Sequence, residues 1–236
     1  TCALIDRVVA NTVRAINPST FFKSQKTEHE LGHVRRVMEQ DGAALCAFFA
    51  WLEQAIARAE DTELNELMVD ERLTDLRAQQ SGFISRSFGT IAAFNANGAM
   101  PHYRATPQSY ARIRGNGLLL IDSGGQYLGG TTDITRVVPI GQVNAEQKAD
   151  YTAVLRAMIA LSRLRFPIGV ASPMLDAVAR APLWERLVEY GHGTGHGVGY
   201  YLNVHEGPQV ISYRAAPAPH TAMQPGMITS NEPGLY

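Results

Sequence analysis

The chain holds 236 residues, 45% hydrophobic and 18% charged, enough apolar material for one large core or two small ones. Its 21 basic and 22 acidic side chains leave a formal net charge of -1, so no broad field favours phosphate backbones or anionic lipid, and neither a nucleic acid nor a membrane is expected as a partner. The longest apolar runs, such as Leu118 to Ile121, are far too short to cross a bilayer, Thr1 to Ala10 lacks the order of a secretory signal, and the only cysteines, Cys2 and Cys46, are expected as reduced thiols in a cytoplasmic protein.

Residues Thr1 to Lys26 alternate short apolar patches with Asn17-Pro18-Ser19 and read as a connector or the tail of an upstream domain, with structure proper expected from Thr27. The first residue is not Met, so the chain is expected to be a fragment. Thr27 and Glu30 form a capping-box pattern, and Leu31, Val34, Met38, Leu45, Phe49, Leu52 and Ile56 recur at helical spacing, which predicts a helix through about Ala59. A second helix is predicted from Thr62 through Leu76, stopping near Gly82. The period then becomes strand-like over Phe83 to Phe94, Leu118 to Asp122 and Thr131 to Val138. Asn144 and Gln147 open a helix through Arg163, and Ser172-Pro173 opens another through Tyr190. Strands are predicted at Val198 to Val204 and Met227 to Asn231, with Ser212 to Pro225 a proline-rich loop between them. The order helix, helix, strands thus occurs twice without sequence identity, which suggests a two-layer α/β domain with pseudo-symmetric halves.

Several constellations bear chemistry. His29-Glu30-Leu31-Gly32-His33 matches the H-E-x-x-H pattern of zinc proteases, but at 100 degrees per residue its histidines fall opposite the apolar stripe, and a solvated face offers no shaped cavity for a catalytic metal. It is expected to be a polar face. Asp122 ends the run Leu118 to Ile121, and Asp133 interrupts Thr131 to Arg136. If the glycines between them reverse the chain, antiparallel pairing brings both carboxylates to one face, where they repel, raise each other's pKa and call for a cation. The alternative is that Asp122 caps a turn and Asp133 faces solvent. The stretch Gly191-His192-Gly193-Thr194-Gly195-His196-Gly197, followed by His205-Glu206-Gly207-Pro208, presents imidazoles from irregular backbone. Imidazole is a metal ligand or a general acid/base near neutral pH. A phosphate-cradling loop is disfavoured because no Gly-Lys-Ser/Thr ending follows. Glu232 ends an apolar segment before Pro233-Gly234 and, with Asp122, Asp133 and His196, makes a donor set of the kind divalent cations prefer.

Taken together and in this order, the motifs resemble the pita-bread metallopeptidases, most closely the Xaa-Pro aminopeptidases, over Thr27 to Tyr236. The resemblance implies a pita-bread (creatinase/aminopeptidase) fold of α/β (α+β) class, residues 27–236, its pseudo-symmetric halves each packing helices on a curved, mainly antiparallel sheet. It implies two divalent metal ions, manganese first with cobalt or zinc as alternatives, bound by Asp122, Asp133, His196 and Glu232. It further places His102, in Pro101-His102-Tyr103, with His192 and His205 around the substrate. Glu232 takes the proton of the attacking water, His205 and His102 bond the developing oxyanion, and His192 shapes the proline side of the pocket. The implied substrate is a peptide with penultimate proline, and the implied assembly is a homodimer of the full-length protein. A proline dipeptidase of the same fold and a non-catalytic peptide-binding module are the alternatives. The family's second glutamate ligand comes from a strand past Tyr236, so the chain is expected to be C-terminally incomplete and to hold metals weakly or not at all.

Overall fold

Thr27 opens a 30-residue helix in the structure, a computed structural model that describes residues 7–9, 15–58 and 63–236. Its hydroxyl accepts from the Glu30 amide (3.3 Å) while the Glu30 carboxylate accepts from the Thr27 amide (2.8 Å), the reciprocal bonds that the pattern predicts. The predicted end at Ala59 lies outside the described residues. Before this helix runs another that the sequence reading placed in a connector: α1, Pro18–Ser24, capped by the Asn17 side chain with Pro18 in its first turn. Asn17-Pro18-Ser19 is therefore a helix start rather than a break, because proline's fixed φ and missing amide cost nothing at that position. Ordered structure begins ahead of Thr27, and Lys26 is buried with its ammonium 2.8 Å from Glu206.

The long helix, α2 (Glu28–Ala57), buries Val37, Asp41, Ala44, Leu45, Phe48 and Leu52. This corrects the predicted stripe, since Met38 is 41% exposed. The difference arises because the buried face contains a charged residue, Asp41, which an apolar periodicity passes over. His33, one turn ahead of Val37, lies on the continuation of that face and is half-buried, its Nδ1 2.6 Å from the Tyr200 hydroxyl. The solvated face predicted for the histidine pair thus holds for the exposed His29 alone.

Helix α3 (Glu66–Ala78) starts at an Asn65 cap, later than predicted; Thr62 lies outside the described residues. The predicted strand Phe83 to Phe94 is two strands, β1 (Phe83–Arg86) and β2 (Ile91–Phe94), that belong to different sheets. β2 pairs antiparallel with β3 (Gly117–Ser123), which pairs antiparallel with β6 (Ile134–Ile140); β1 pairs with β4 (Gly125–Tyr127), and β4 with β5 (Gly130–Thr131). Along β3 the side chains alternate. Leu119 and Ile121 are buried against α2 and α3 together with Phe48, Leu52, Leu73 and Ile140, which leaves Asp122 on the opposite face of the sheet.

In the second half, α4 (Ala145–Ser162) begins at the predicted Asn144–Gln147 capping box. Ser172–Leu175 forms a short 3-10 turn leading into α5 (Asp176–Trp184), which stops short of the predicted Tyr190 as Leu187 turns to φ 59. α4 and α5 share a smaller core of Ala153, Ala157, Leu183 and Tyr190. The predicted strand Val198 to Val204 is a turn, closed by the Gly199 amide on the Asn203 carbonyl (2.9 Å) with Leu202 at φ 74. The ladder lies just before it: β7 (Gly195–His196) pairs with β8 (Val210–Ile211), and residues 228–232 run antiparallel along the other edge of β7.

The corrected helix face has a measurable consequence. Phe48→Ala, at a fully buried position, is expected to cost about 3–5 kcal/mol in urea denaturation, whereas Met38→Ala shifts stability by less than about 0.5 kcal/mol.

Candidate metal centre

The sheet registers assemble the centre. Asp122 stands opposite Thr135, whose hydroxyl donates to its carboxylate (2.9 Å), and Asp133, two residues before Thr135, shares that face by the period of a strand. On the other side of the centre, the Ser230 amide donates to the His196 carbonyl (2.9 Å) and the Glu232 amide to the Thr194 carbonyl (2.7 Å). This register puts His196 and Glu232 on one face as well. The backbones can lie this close because a Cβ on Gly195 would fall 2.2 Å from the Ser230 carbonyl, and one on Gly197 would fall 1.9 Å from the Glu206 carbonyl. At Gly195 and Gly197, glycine therefore serves the approach of neighbouring backbone.

The side chains of Asp133, His196 and Glu232 converge: each offers a ligand atom, and these atoms lie within 4.8 Å of one another. His196 Nε2 is 3.3 Å from Asp133 Oδ2 and 3.0 Å from Glu232 Oε1. Its Nδ1 is 2.9 Å from the Gly197 carbonyl, the contact that orients the ring and reserves Nε2 for the centre. Glu232 Oε1 is buried, and despite its closeness to Nε2 it has hydrogen-bond geometry with no described neighbour. A buried carboxylate oxygen that closes on the free ring nitrogen of an oriented imidazole, with a second carboxylate beside it, is a donor set that fits a divalent cation.

The other predicted residues are placed less uniformly. Asp122 stands outside that trio of converging atoms but within reach of its charges: burial, then the charges of Asp133 and Glu232, push its carboxyl up to about 7. His205 is exposed, its ring edge-on to His196 with centroids 4.2 Å apart. His192 points Nε2 at the Tyr236 hydroxyl (2.9 Å). His102 is exposed, and no described hydrogen bond or ring contact joins it to the cluster. Its loop is anchored from beneath by the buried Glu66, whose carboxylate accepts from the Phe94 and Ala111 amides and from the Tyr103 hydroxyl, each at 2.7 Å. The sequence reading missed Tyr236, Ser230 and Glu66. The first two meet their partners only through the fold, and a lone glutamate at a helix start reads as an ordinary first-turn acid. His29 and His33 form no metal-competent group among the described residues, and Glu30 is engaged in the capping box.

Comparison with known proteins gives a consistent picture. The model of metallopeptidase family M24 matches residues 32–236. A curated relative, Xaa-Pro aminopeptidase 1 of Dictyostelium discoideum, is 45% identical over 229 residues, which is 97% of this chain and 36% of that protein. Among solved structures, X-prolyl aminopeptidase of Caenorhabditis elegans, described as a cytosolic enzyme with a di-nuclear active site, superimposes with TM-score 0.86 at 34% identity, covering 93% of this chain and 35% of that one. A prolidase from Thermococcus sibiricus superimposes with TM-score 0.76 at 27% identity over 92% of this chain and 55% of its own. The chain thus spans about a third of the length of the curated relatives it matches. No helix among the described residues is long and apolar enough to cross a membrane.

The centre's pKa shifts set its pH response in the metal-free protein. Burial would lower His196, but its contacts with Asp133, Glu232 and the Gly197 carbonyl outweigh that and hold it up at about 10. Burial would raise Glu232, but His196 and Ser230 pull it below its ordinary value. A raised imidazole contributes its stability in full below the unfolded value of 6.5 and loses it as pH rises through about 10. Asp122, raised from 3.8 to about 7, also favours the folded protein most when protonated, while Glu232 acts in the opposite sense at acidic pH. The stability difference between wild type and His196→Gln is therefore expected to narrow as urea titrations move from pH 6.5 to pH 10. A difference independent of pH would contradict the imidazolium pairing.

Proposed function

The chain belongs to metallopeptidase family M24, and from that premise we propose that it is the catalytic part of a metal-dependent aminopeptidase that releases the N-terminal residue from peptides with proline in second position. The observation that carries the proposal is the convergence of Asp133, His196 and Glu232 from distant segments onto one point. Relatives named Xaa-Pro aminopeptidase support the substrate class. With Asp122 beside them, these residues would hold a pair of divalent cations, in keeping with the di-nuclear site described for the worm enzyme. Manganese, a cytoplasmic location and a homodimer of the full-length protein complete the proposal. Bound cations supply Lewis acidity and an activated water nucleophile at neutral pH.

The chain's own groups do the rest. Glu232, kept ionised by His196, accepts the proton of the attacking water. His205, exposed beside His196, would donate to a peptide carbonyl oxygen as negative charge develops there. His192, steadied by Tyr236, borders the side on which the proline ring would lie, and His102 is a second donor carried on the loop that Glu66 anchors. The dipeptidase alternative recedes because the curated relatives with 41–45% identity are named aminopeptidases and, among solved structures, the worm aminopeptidase superimposes at 34% identity and TM-score 0.86 against 27% and 0.76 for the prolidase.

In the full-length protein loaded with manganese, an Xaa-Pro-Xaa tripeptide should lose its first residue, while exclusive cleavage of Xaa-Pro dipeptides would favour the dipeptidase and the absence of turnover a peptide-binding module. His196→Ala should reduce kcat/KM by more than about a thousandfold, as expected when several kcal/mol of Lewis-acid stabilisation are lost. His33→Ala should retain activity within about tenfold, a loss of under about 1.4 kcal/mol.

A further inference from the structure

Each half of the molecule buries one aspartate–arginine pair, and each pair ends on a threonine next to the centre. In the first half Asp41 on α2 is fully buried and receives Arg77 of α3 through both carboxylate oxygens, at 2.7 and 3.0 Å. The Tyr127 hydroxyl donates to the same carboxylate (2.7 Å), and so does the Thr132 hydroxyl (2.8 Å). Thr132 directly precedes Asp133, and its Oγ1 also accepts from the Gly125 amide (2.8 Å). In the second half Asp176 at the start of α5 is fully buried and pairs with Arg180 (2.9 Å). The Thr194 hydroxyl donates to Asp176, and the Tyr190 hydroxyl bonds that of Thr194. Arg180 then reaches the carbonyls of Tyr190 (2.9 Å) and His192 (2.6 Å), with its guanidinium 3.9 Å from the Tyr190 ring. Thr194 precedes His196 by two residues, and its carbonyl receives the Glu232 amide.

The same four residue types, Asp, Arg, Tyr and Thr, thus occur on each side, although the arginine comes from a second helix in one half and from the aspartate's own helix in the other. Stability alone is a poor reason for such clusters, because well-packed apolar side chains do as well as buried ion pairs or better. Orientation is a better one. A threonine hydroxyl fixed to a buried carboxylate has one direction available, and the backbone that carries it sets where the next ligand-bearing side chain points.

We propose that Thr132 and Thr194, clamped by Asp41 and Asp176, are positioning residues that set Asp133 on one side and His196 with Glu232 on the other for divalent-cation binding. The inference rests on the metallopeptidase reading above. The test is titration calorimetry of manganese into the metal-free full-length protein, alongside urea denaturation of the same samples. Thr132→Val and Thr194→Val keep the side-chain shape and remove the hydroxyl; each is expected to weaken manganese binding by about 10- to 100-fold, and Thr132→Ser and Thr194→Ser should recover most of the loss. A purely structural role would lower the urea midpoint and leave the affinity of the folded protein at the wild-type value, which would overturn the proposal. If the valine variants do not fold, Tyr127→Phe and Tyr190→Phe each remove one arm of a clamp. They are expected to weaken binding, and unchanged affinity in both would again overturn it. Wild-type protein that takes up no manganese would overturn the metal site itself, whereas wild-type binding with unaffected variants would overturn the positioning role alone.

Discussion

Negative charge gathered in one partly buried place is the constraint around which this protein is organised. Asp122, Asp133 and Glu232 come from the ends of different strand-like segments, and burial raises the cost of ionising them together. His196 relieves part of that cost, and its close approach to Asp133 and Glu232 joins the two halves of the chain at a single point. Everything else in the architecture can be understood as the means of holding mutually repelling groups near one another. Helices cover one face of the β2–β3–β6 sheet with an apolar core, and the acidic face is left free.

Much of this was legible in the sequence where the signal is local. Capping boxes at Thr27–Glu30 and Asn144–Gln147 mark two helix starts because they depend only on residues three apart. The apolar run Leu118 to Ile121 marks a strand, but its uniform side chains do not say which face Asp122 takes; the burial alternation along β3 does. Misreadings occurred where a local pattern served a distant partner. Asp41 lies on the buried face of α2 because Arg77 neutralises it, so the apolar stripe, which holds at Leu45 and Leu52, runs through the exposed Met38 instead of Val37. Val198 to Val204 has the composition of a strand, but the hydrogen bonds belong to the segments on either side.

The centre divides along the same line. Its residue types could be singled out from the sequence, since carboxylates at the ends of apolar runs and imidazoles among glycines are unusual in local terms. Their mutual distances could not, because they depend on the register of β3 with β6 and of residues 228–232 with β7. Gly195, Gly197 and Gly199, which look like part of a ligand-binding loop, are explained by carbonyls of the chain itself lying where side chains would be, whereas Gly191 faces open space. His102 stands apart from the group, exposed on a loop whose neighbouring residues Phe94, Tyr103 and Ala111 are tied to Glu66.

The buried ammonium of Lys26 closes on the carboxylate that immediately follows His205, with Lys23 adding a second, exposed partner at 3.1 Å. The segment leading into the first long helix is therefore tied to the segment that carries His205 rather than merely attached ahead of it. Trimming the polypeptide back to Thr27 would strand the buried Glu206 without these counter-charges, a defect worth about 3–5 kcal/mol that would fall on the loop bearing His205.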